Sequence, residues 1–361
     1  MDKRLIILHD YFESAEGGGR VSLMLAHELQ ADLGYGFKIN NHPYFRDSSF
    51  SGKQYEVCSF TKLPIWKQFK LIRAFQNKTS FLKDYTLRVY SGFYSPFAAI
   101  TNTEGRNILY CHTPPRFIYD QRDFYLSLIP IWQRPILPSF IRYFRHGYET
   151  AVNRMDTIIA NSKNVQSRIK KYLGQDSRVI YPPCETDNFT WLGQDDYYLS
   201  TARIDPLKRV AVIVKAFLHM PDKKLIVTSG GSELARLKRM AQGADNIIFT
   251  GWVGENDFRK LIGKAIATIY IPRDEDFGMS PLESMAAGKP VIGVAEGGLL
   301  ESVVDNETGI FIKANPSYED VIQAIRELNP QRTKEMRGAC ERRAQEFRKE
   351  VFVEKMKRII F

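Results

Sequence analysis

Two series of short apolar runs, each run separated from the next by a helical pattern, constrain most strongly how this chain can fold. Six runs begin with RLIILH at residues 4–9, and six more begin with YYLSTA at residues 197–202. Strands that alternate with helices in this way form parallel sheets covered by helices. The sequence therefore predicts an α/β chain of two Rossmann-like domains, at residues 1–183 and residues 184–345.

The net charge of +10 lies entirely in the first of these predicted domains. Residues 1–183 carry 25 Lys and Arg against 15 Asp and Glu, whereas residues 184–361 carry 26 of each. Residues 62–88 alone hold seven bases and one acid, with Trp66 and Phe69 among them. A basic stretch with interleaved aromatic residues is typical of a segment that meets an anionic membrane surface. We therefore expect the first domain to contact a membrane surface and, since no recognised nucleic-acid motif appears, to bind no nucleic acid.

Apolar length and cysteine spacing indicate where the protein resides. The longest apolar stretch, FYLSLIPIW at residues 124–132, is far shorter than the roughly 20 residues that a spanning helix needs. The apolar run Leu5–Leu8 is likewise too short for a signal peptide. The four cysteines lie far apart without a CxxC pair, which argues against a zinc site or a disulfide framework. We expect a cytoplasmic protein that associates peripherally with the inner face of the cytoplasmic membrane.

Three glycines follow the first predicted strand and open a helical pattern that runs from residue 19 to residue 33. At Gly17-Gly18-Gly19 backbone N–H groups can approach a phosphate closely, and the helix dipole favours negative charge there. The spacing is not GxGxxG, and no acidic residue ends a second strand where a dinucleotide ribose would need one. We interpret the segment as a loop that closely approaches a phosphate, although a tight turn alone would have the same sequence.

Two basic residues lie close to the end of the first predicted strand of the second domain. Arg203 and Lys208 lie in TARIDPLKRV, at the end of that strand and the start of the next helix. Arginine offers a planar fork for phosphate oxygens, and lysine offers a compact charge. A helix dipole disfavours bases at its N-terminus, so a purely structural role explains them poorly. Together they could neutralise a diphosphate leaving group, whose developing charge is the main electrostatic problem in nucleotide-sugar chemistry.

Several segments, in order and at familiar spacings, resemble the retaining glycosyltransferases of family four. They cover nearly all of the second half of the chain: ARIDPLKRV, GWV, EDFGMSPLE, AAGKPVIGVAEGGLLE and NETGIFI. HTPPRFIYD, at residues 112–120, is similar to the bacterial mannosyltransferases of this family that build O-antigens and other surface polysaccharides. The resemblance implies the GT-B fold, in which two Rossmann-like domains face each other across a cleft. It also implies that the C-terminal helix, about residues 346–361, packs back on the first domain.

The resemblance assigns roles to residues around the donor. Arg203 and Lys208 match the pair that binds the diphosphate, and Glu283 matches the glutamate that accepts hydrogen bonds from the ribose hydroxyls. Glu275 matches the glutamate that lies by the donor sugar. The turn before the next helix would offer backbone N–H groups to sugar hydroxyls and phosphate, and its residues are Phe277, Gly278, Met279 and Ser280.

Five further residues complete the implied site. Gly18 and Gly19 match the N-terminal glycine loop by the phosphates. His112 matches the histidine whose ring or carbonyl meets the sugar on the acceptor side. Trp252 and Val253 lie where the base is gripped, largely through the backbone. The residues implied in catalysis are His112, Arg203, Lys208 and Glu275.

The acids Asp274-Glu275-Asp276 allow a second interpretation. They form a DxD, the signature with which the other glycosyltransferase fold holds Mn²⁺ or Mg²⁺ with a nucleotide diphosphate. That fold has one nucleotide-binding domain, whereas this chain shows two series of strands and helices. Arg203 and Lys208 already supply the charge that a metal would bring. We therefore expect no cofactor and no metal requirement for the chemistry.

The reaction implied by the resemblance is transfer of a hexose with retention at the anomeric carbon, by front-face attack in which the departing phosphate takes the acceptor proton. HTPPRFIYD favours mannose from GDP-mannose, and the basic first domain suits a polyprenyl-diphosphate-linked saccharide as acceptor. A UDP-sugar-dependent transferase of the same fold and a nucleotide-sugar epimerase are alternatives. A catalytically silent partner subunit is a further alternative, against which the intact Arg203, Lys208, Glu275 and Glu283 argue.

Overall fold

The chain forms two compact units in the computed structural model, which describes residues 4–14, 16–45, 50–127, 129 and 131–361. The first unit contains the residues up to Tyr181 together with Val353–Phe361, and the second is Pro182–Phe352. Residues 1–3, as well as two residues of the apolar stretch at 124–132, lie outside the described part of the chain. Among the described residues no helix has the length and apolar character that a membrane crossing requires.

A parallel sheet forms the centre of the first unit, and its strands follow the order β3-β2-β1-β4-β5-β6-β7. These strands are β1 Leu5–His9, β2 Asp32–Tyr35, β3 Gln54–Glu56, β4 Leu87–Ser91, β5 Arg106–Cys111, β6 Thr157–Ala160 and β7 Arg178–Val179. The helices between them are α1 Gly17–Glu28, α2 Pro64–Asn77, α3 Arg122–Ser127, α4 Leu137–Val152 and α5 Lys163–Leu173.

Strand β2 is absent from the sequence-based prediction, because the helical pattern after the glycine loop continues to residue 33. In the structure α1 ends at Glu28, and Gln30 takes a left-handed φ of 50°. The Ala31 N–H donates to the Ala26 carbonyl at 2.9 Å and closes the end of the helix. The chain then enters β2, in which Asp32 pairs opposite Ile6 of β1. A left-handed non-glycine residue is an end signal that the sequence does not reveal.

Aromatic side chains fill the core of the first unit and fix the loop that follows β4. Phe144 of α4 is fully buried, with its ring edge-on to Phe97 at 5.3 Å and to Tyr94 at 5.5 Å between centroids. Helix α4 approaches this loop closely at Gly147, where a Cβ would lie 2.5 Å from the Phe97 ring. Edge-to-face pairs add specific geometry to the burial of apolar area. The carboxyl end of β4 is therefore held rigidly.

The second unit is also built on a parallel sheet, in the order β10-β9-β8-β11-β12-β13. Its strands are β8 Tyr198–Ser200, β9 Leu225–Thr228, β10 Ile247–Gly251, β11 Thr268–Tyr270, β12 Val291–Val294 and β13 Gly309–Ile312. Its helices are α6 Val210–Leu218, α7 Leu234–Met240, α8 Glu255–Lys264, α9 Ser280–Ala286, α10 Leu299–Ser302, α11 Tyr318–Glu327 and α12 Pro330–Gln345. The last helix, α13 Lys349–Ile360, contributes its residues from Val353 onward to the first unit.

Each sheet reverses its strand order once. In the first unit β1 lies between β2 and β4, and in the second unit β8 lies between β9 and β11. The loops that follow the two strands on either side of such a reversal diverge and leave a crevice, which is where open α/β sheets bind ligands. The crevices lie beyond the carboxyl ends of β1 and β4 in one unit and of β8 and β11 in the other.

Candidate active site

Lys208 and Glu275 meet at the strand-order reversal of the second unit. Lys208 follows β8, Glu275 follows β11, and the Lys208 Nζ lies 2.6 Å from the Glu275 Oε2. The same Nζ donates a hydrogen bond to the Tyr270 hydroxyl at 3.1 Å. Burial by itself lowers the pKa of Lys208, but the Glu275 carboxylate and the Tyr270 hydroxyl outweigh burial and raise that pKa above its ordinary value. The crevice therefore contains a permanent cation that is held in one position.

Lys208 lies in a turn of 3-10 helix, Pro206–Lys208, and not in the first turn of α6 as the sequence predicts. Arg209 takes a left-handed φ of 54° and separates this turn from the helix. The Arg209 Nη1 lies 2.6 Å from the Glu296 Oε1, and that oxygen accepts a hydrogen bond from the Asp274 N–H at 3.2 Å. Arg209 and Glu296 thereby tie the loop that carries Lys208 to the loop that carries Glu275. Sequence reasoning missed both residues.

Backbone contacts fix the position of Glu275 further. The Gly298 N–H donates to the Glu275 carbonyl at 2.8 Å, and the Arg273 N–H donates to the Leu207 carbonyl at 2.7 Å. Gly297 takes a φ of +65°, and a Cβ there would lie 2.5 Å from the Glu275 carbonyl oxygen. The glycine pair in AEGGLLE thus permits a close approach that a larger residue would prevent.

Arg203 lies on the same loop as Lys208 and is half exposed. Its Nε is 3.1 Å from the Asp205 Oδ2, with 50% of the Arg203 side chain accessible. An exposed ion pair of this kind contributes little to stability, so its charge can be redirected to a bound anion. The structure therefore places both predicted diphosphate-binding bases at one end of β8. Their role stays a prediction.

The predicted sugar-binding turn is anchored by its first residue. Phe277 is 2% exposed, and its ring lies 5.7 Å from the Phe347 ring between centroids, so its side chain belongs to the core. Helix α9 begins at Ser280, and Glu283 lies half-buried in its first turn. The turn itself consists of Gly278, which takes a φ of +85°, followed by half-buried Met279 and Ser280.

Trp252 and Val253 follow β10, next to the loop that carries Arg203. The Trp252 side chain is 73% exposed, and its Nε1 would lie 2.6 Å from a Cβ placed on Gly230. The Gly230 carbonyl accepts a hydrogen bond from the Ile204 N–H at 2.9 Å. The indole ring therefore lies against the backbone that supports the neighbouring Arg203, and Val253 beside it is half-buried.

His112 touches the three glycines of the first unit, which form the first turn of α1 and not a loop before it. It follows β5, and its Nε2 lies 2.8 Å from the Ser91 Oγ at the end of β4. A Cβ on Gly18 would lie 3.3 Å from the same Nε2, and a Cβ on Gly19 would lie 3.1 Å from the Phe12 ring. The three site residues that the sequence predicts in this domain are therefore neighbours, and glycine is what allows their close approach.

Two buried residues at the end of β1 belong to the same region and were missed. The His9 Nδ1 lies 3.0 Å from both the Ser91 carbonyl oxygen and the Ser22 Oγ. Burial, together with the charge of His112, lowers the pKa of His9 to about 3, and burial lowers the pKa of His112 to about 4. Both rings are therefore neutral at neutral pH. Asp10 accepts three backbone N–H bonds at 2.7–2.8 Å, yet burial raises its pKa to about 6.

A signal for His9 and Asp10 does exist in the sequence. They directly follow the first apolar run, and polar residues that end adjacent parallel strands converge at one edge of a sheet. Ser91 ends the third predicted run in the same way. Ser22 carries no such signal, because it lies inside a helical pattern.

A metal site would need several ligands in one place. In the described part of the chain, no group of three or more His, Cys, Asp or Glu side chains is arranged to hold a metal ion. The carboxylate of Glu275 is instead paired with Lys208. Independence of the chemistry from metal stays a prediction.

Comparison with known proteins identifies the second unit. Residues 186–347 match the family described as glycosyl transferases group 1. The second unit therefore contains a domain of this family. The structure of a sucrose-phosphate synthase from Thermosynechococcus elongatus superposes on this chain with a TM-score of 0.81 and 17% identity, over 99% of this chain and 98% of that one. The fold is accordingly GT-B.

Two curated relatives of this chain are named as mannosyltransferases. The alpha-1,3/1,6-mannosyltransferase ALG2 of Dictyostelium discoideum is 28% identical over 274 residues, which cover 63% of this chain and 62% of that protein. The O-antigen chain mannosyltransferase RfbU of Salmonella typhimurium is 28% identical over 276 residues, which cover 70% of this chain and 74% of that protein. The chain thus spans less than two thirds of the length of the Dictyostelium relative.

Proposed function

We propose that this glycosyltransferase transfers mannose from GDP-mannose to a lipid-linked saccharide, with retention at the anomeric carbon. The observation that carries the proposal is the ion pair of Lys208 and Glu275 at the strand-order reversal of the second unit, with Arg203 on the same loop. The mannosyltransferase names of both relatives support mannose as the sugar. RfbU, named as an O-antigen chain enzyme, supports a place in bacterial surface polysaccharide synthesis.

The two bases stabilise the leaving diphosphate in this mechanism. The bond between the anomeric carbon and the phosphate oxygen breaks, and negative charge develops on that oxygen. A preorganised cation at this point lowers the barrier because it needs no reorientation during the reaction. Lys208 meets this requirement, since two partners hold its Nζ and keep it protonated. Arg203 supplies a second charge that can turn from Asp205 to the phosphate.

Glu275 acts in this scheme by holding Lys208 and by contacting the donor sugar. Its carboxylate is already paired with a cation at 2.6 Å, which reduces its strength as a nucleophile. Retention therefore proceeds without a covalent intermediate, by attack of the acceptor hydroxyl on the face that the diphosphate leaves. The departing phosphate takes the proton of that hydroxyl. Glu283 accepts hydrogen bonds from the ribose, and Trp252 and Val253 flank the base.

The acceptor proposed is a polyprenyl-diphosphate-linked saccharide at the inner face of the cytoplasmic membrane. Support comes from apolar side chains that the first unit leaves exposed around α2 and the start of α4: Leu63 at 65%, Trp66 at 59%, Ile131 at 77% and Ile136 at 59%. Exposed bases flank them at Lys62, Arg73 and Arg142. Apolar groups that enter a bilayer and bases that meet anionic headgroups form a peripheral membrane surface.

Calorimetric titration with GDP, UDP, ADP and their mannose and glucose conjugates, with and without Mg²⁺, tests the donor. We expect metal-independent binding of GDP and GDP-mannose. Preference for UDP would overturn the donor, and absence of all nucleotide binding would overturn the function. Release of GDP only when a lipid-linked acceptor is present would distinguish transfer from epimerisation.

Sedimentation with anionic and with neutral vesicles tests the proposed membrane surface. Equal sedimentation of the protein with both kinds of vesicle would contradict this proposal.

A further inference from the structure

A chain of hydrogen bonds connects a buried and a half-buried histidine, His9 and His112, near the three glycines that open α1 in the first unit. It runs from the His9 Nδ1 to the Ser22 Oγ at 3.0 Å, from there to the Ser91 Oγ at 2.7 Å, and on to the His112 Nε2 at 2.8 Å. The His9 Nδ1 also lies 3.0 Å from the Ser91 carbonyl oxygen, and the Ser22 Oγ lies 2.9 Å from the Gly18 carbonyl oxygen. These five short contacts determine where the hydrogens are.

Only one arrangement of hydrogens fits the His9 end of this chain of hydrogen bonds. A carbonyl oxygen carries no hydrogen, so the contact between the His9 Nδ1 and the Ser91 carbonyl requires the proton on Nδ1. That N–H is shared with the Ser22 Oγ, which acts as an acceptor. The other ring nitrogen, Nε2, lies near Gly19, where a Cβ would be 3.4 Å away.

The direction of the remaining bonds follows from counting hydrogens. Ser22 has a single hydroxyl hydrogen, and the Gly18 carbonyl can take part only as an acceptor. If Ser22 donates to Gly18, the contact between the two hydroxyls needs the hydrogen of Ser91. Ser91 then has none left for His112, so the His112 Nε2 must be the donor. This arrangement supplies a hydrogen to all five contacts.

The reverse direction weakens two contacts. If Ser22 donated to Ser91 and Ser91 donated to the His112 Nε2, Ser22 would have to share its only hydrogen between the Ser91 Oγ at 2.7 Å and the Gly18 carbonyl at 2.9 Å. A shared hydrogen is poorly aligned with both acceptors, and weakened hydrogen bonds are costly in a buried region. The first arrangement shares only the His9 N–H and is therefore the more stable one.

We propose that His9, Ser22 and Ser91 are positioning residues that fix His112 with its proton on Nε2, so that Nδ1 presents a lone pair to a hydroxyl group of the transferred sugar. The part that concerns the sugar rests on the proposed function. The part that concerns the tautomer depends only on the geometry of the first unit. His112 is half-buried, and in the described residues no partner occupies its Nδ1. The site thus selects a ligand that donates a hydrogen bond at this point.

Nitrogen NMR of the full chain, with histidine labelled at both ring nitrogens, tests the tautomer directly. The chain has six histidines. The signals that disappear in His112→Gln are those of His112. We expect a protonated Nε2 and an unprotonated Nδ1 at neutral pH. A protonated Nδ1 would overturn the proposal. Ser91→Ala removes the partner of Nε2 and should give a mixture of both tautomers.

A matched control separates this effect from the loss of a hydroxyl group in general. The Ser177 Oγ, in the same unit, is inaccessible and has no hydrogen-bond partner among the described residues. Ser177→Ala should therefore leave the His112 signals unchanged. If Ser177→Ala shifts them as much as Ser91→Ala does, the proposed chain is not what fixes the ring.

Analogues of GDP-mannose that each lack one sugar hydroxyl test the contact with the ligand. A lost neutral hydrogen bond lowers kcat/KM about fivefold, and we expect this loss for one analogue with the wild-type enzyme. His112→Gln keeps a donor towards Ser91 but moves its acceptor, the amide oxygen, away from the position of Nδ1, so it should abolish the discrimination. Equal activity of all analogues with the wild type would overturn the sugar contact. If the enzyme does not use GDP-mannose at all, the NMR result still decides the tautomer.

Discussion

The buried His9 makes the stability of the protein depend on pH in a way that one substitution can isolate. His9 is 8% exposed, and its pKa falls from 6.5 in the unfolded chain to about 3 in the folded protein. Above the pKa of the unfolded chain, neither the folded nor the unfolded state holds a proton on His9, and the contribution of the neutral ring to stability is fully present. As the pH falls below about 6.5 the unfolded chain takes up a proton that the folded protein rejects. The protein therefore loses stability as the pH falls towards about 3, the pKa of His9 in the folded state.

The size of the effect follows from the two pKa values. One proton of difference changes the free energy of unfolding by about 1.4 kcal/mol per pH unit. Between about pH 6 and about pH 4 the contribution of His9 amounts to about 2.5 kcal/mol of lost stability. His112 acts in the same direction, because its pKa is lowered to about 4.

Asp10 acts in the opposite direction. Burial raises its pKa from 3.8 to about 6, so between these values the folded protein holds a proton that the unfolded chain releases. The contribution of Asp10 to the pH dependence of stability roughly cancels that of one of the two histidines. The wild type should therefore lose about 1.4 kcal/mol per pH unit from these three groups, and His9→Asn should lose almost none. Asparagine keeps an N–H near the position of Nδ1 for the Ser91 carbonyl but does not titrate.

Urea unfolding followed by circular dichroism, at several values between pH 4 and pH 7, measures the difference between wild type and His9→Asn. All other acidic groups are common to both proteins and cancel. His146→Asn, at an exposed position on α4, is the matched control for the replacement of histidine by asparagine as such. If the difference between wild type and His9→Asn were constant across this range, the assignment of a buried neutral His9 would be wrong.

Three further substitutions, together with one control, test the second unit. Lys208→Ala should lower kcat on the order of 100-fold without unfolding the protein, because a preorganised charge on the leaving group is removed; turnover near the wild-type value would refute its role. Burial lowers the pKa of Lys289 from 10.5 to about 7. Between these two pH values the free energy of unfolding should therefore rise with pH, by at most about 1.4 kcal/mol per pH unit. The urea midpoints of Lys289→Met should lack this rise. Gly297→Ala places a Cβ 2.5 Å from the Glu275 carbonyl at a φ of +65° and should weaken nucleotide binding about tenfold or more. Gly243→Ala has a similar φ of +82° but open space, so it should cost only about 1 kcal/mol of stability and leave calorimetric nucleotide binding intact.

Local pattern was sufficient for the architecture. The alternation of apolar runs with helical patterns predicts the six strands of the second unit, which the sheet order confirms for the described residues. The GT-B fold implied by the resemblance is confirmed by the structural comparison. Strand β2 escaped the prediction, because only the left-handed φ of Gln30 ends the preceding helix. A backbone conformation that no special residue type requires leaves no trace in the sequence.

The sequence also determined which chemical groups are available at the strand ends. Gly18, Lys208 and Glu275 each follow a predicted strand, and parallel strands bring such residues to one edge of their sheet. The sequence did not determine their partners. Lys208 and Glu275 are 67 residues apart, and whether they meet depends on β8 lying beside β11.

Tertiary structure alone decided how the site residues are held. Arg209 and Glu296, 87 residues apart, join two loops of the second unit, and neither belongs to a pattern that sequence reasoning recognises. His9, Ser22 and Ser91 reach His112 because β1, β4 and β5 end, and α1 begins, at one edge of the first sheet. Periodicity and glycine positions are local properties that a sequence displays directly. Hydrogen bonds and pKa values depend on strand order and burial, which exist only once the chain has folded.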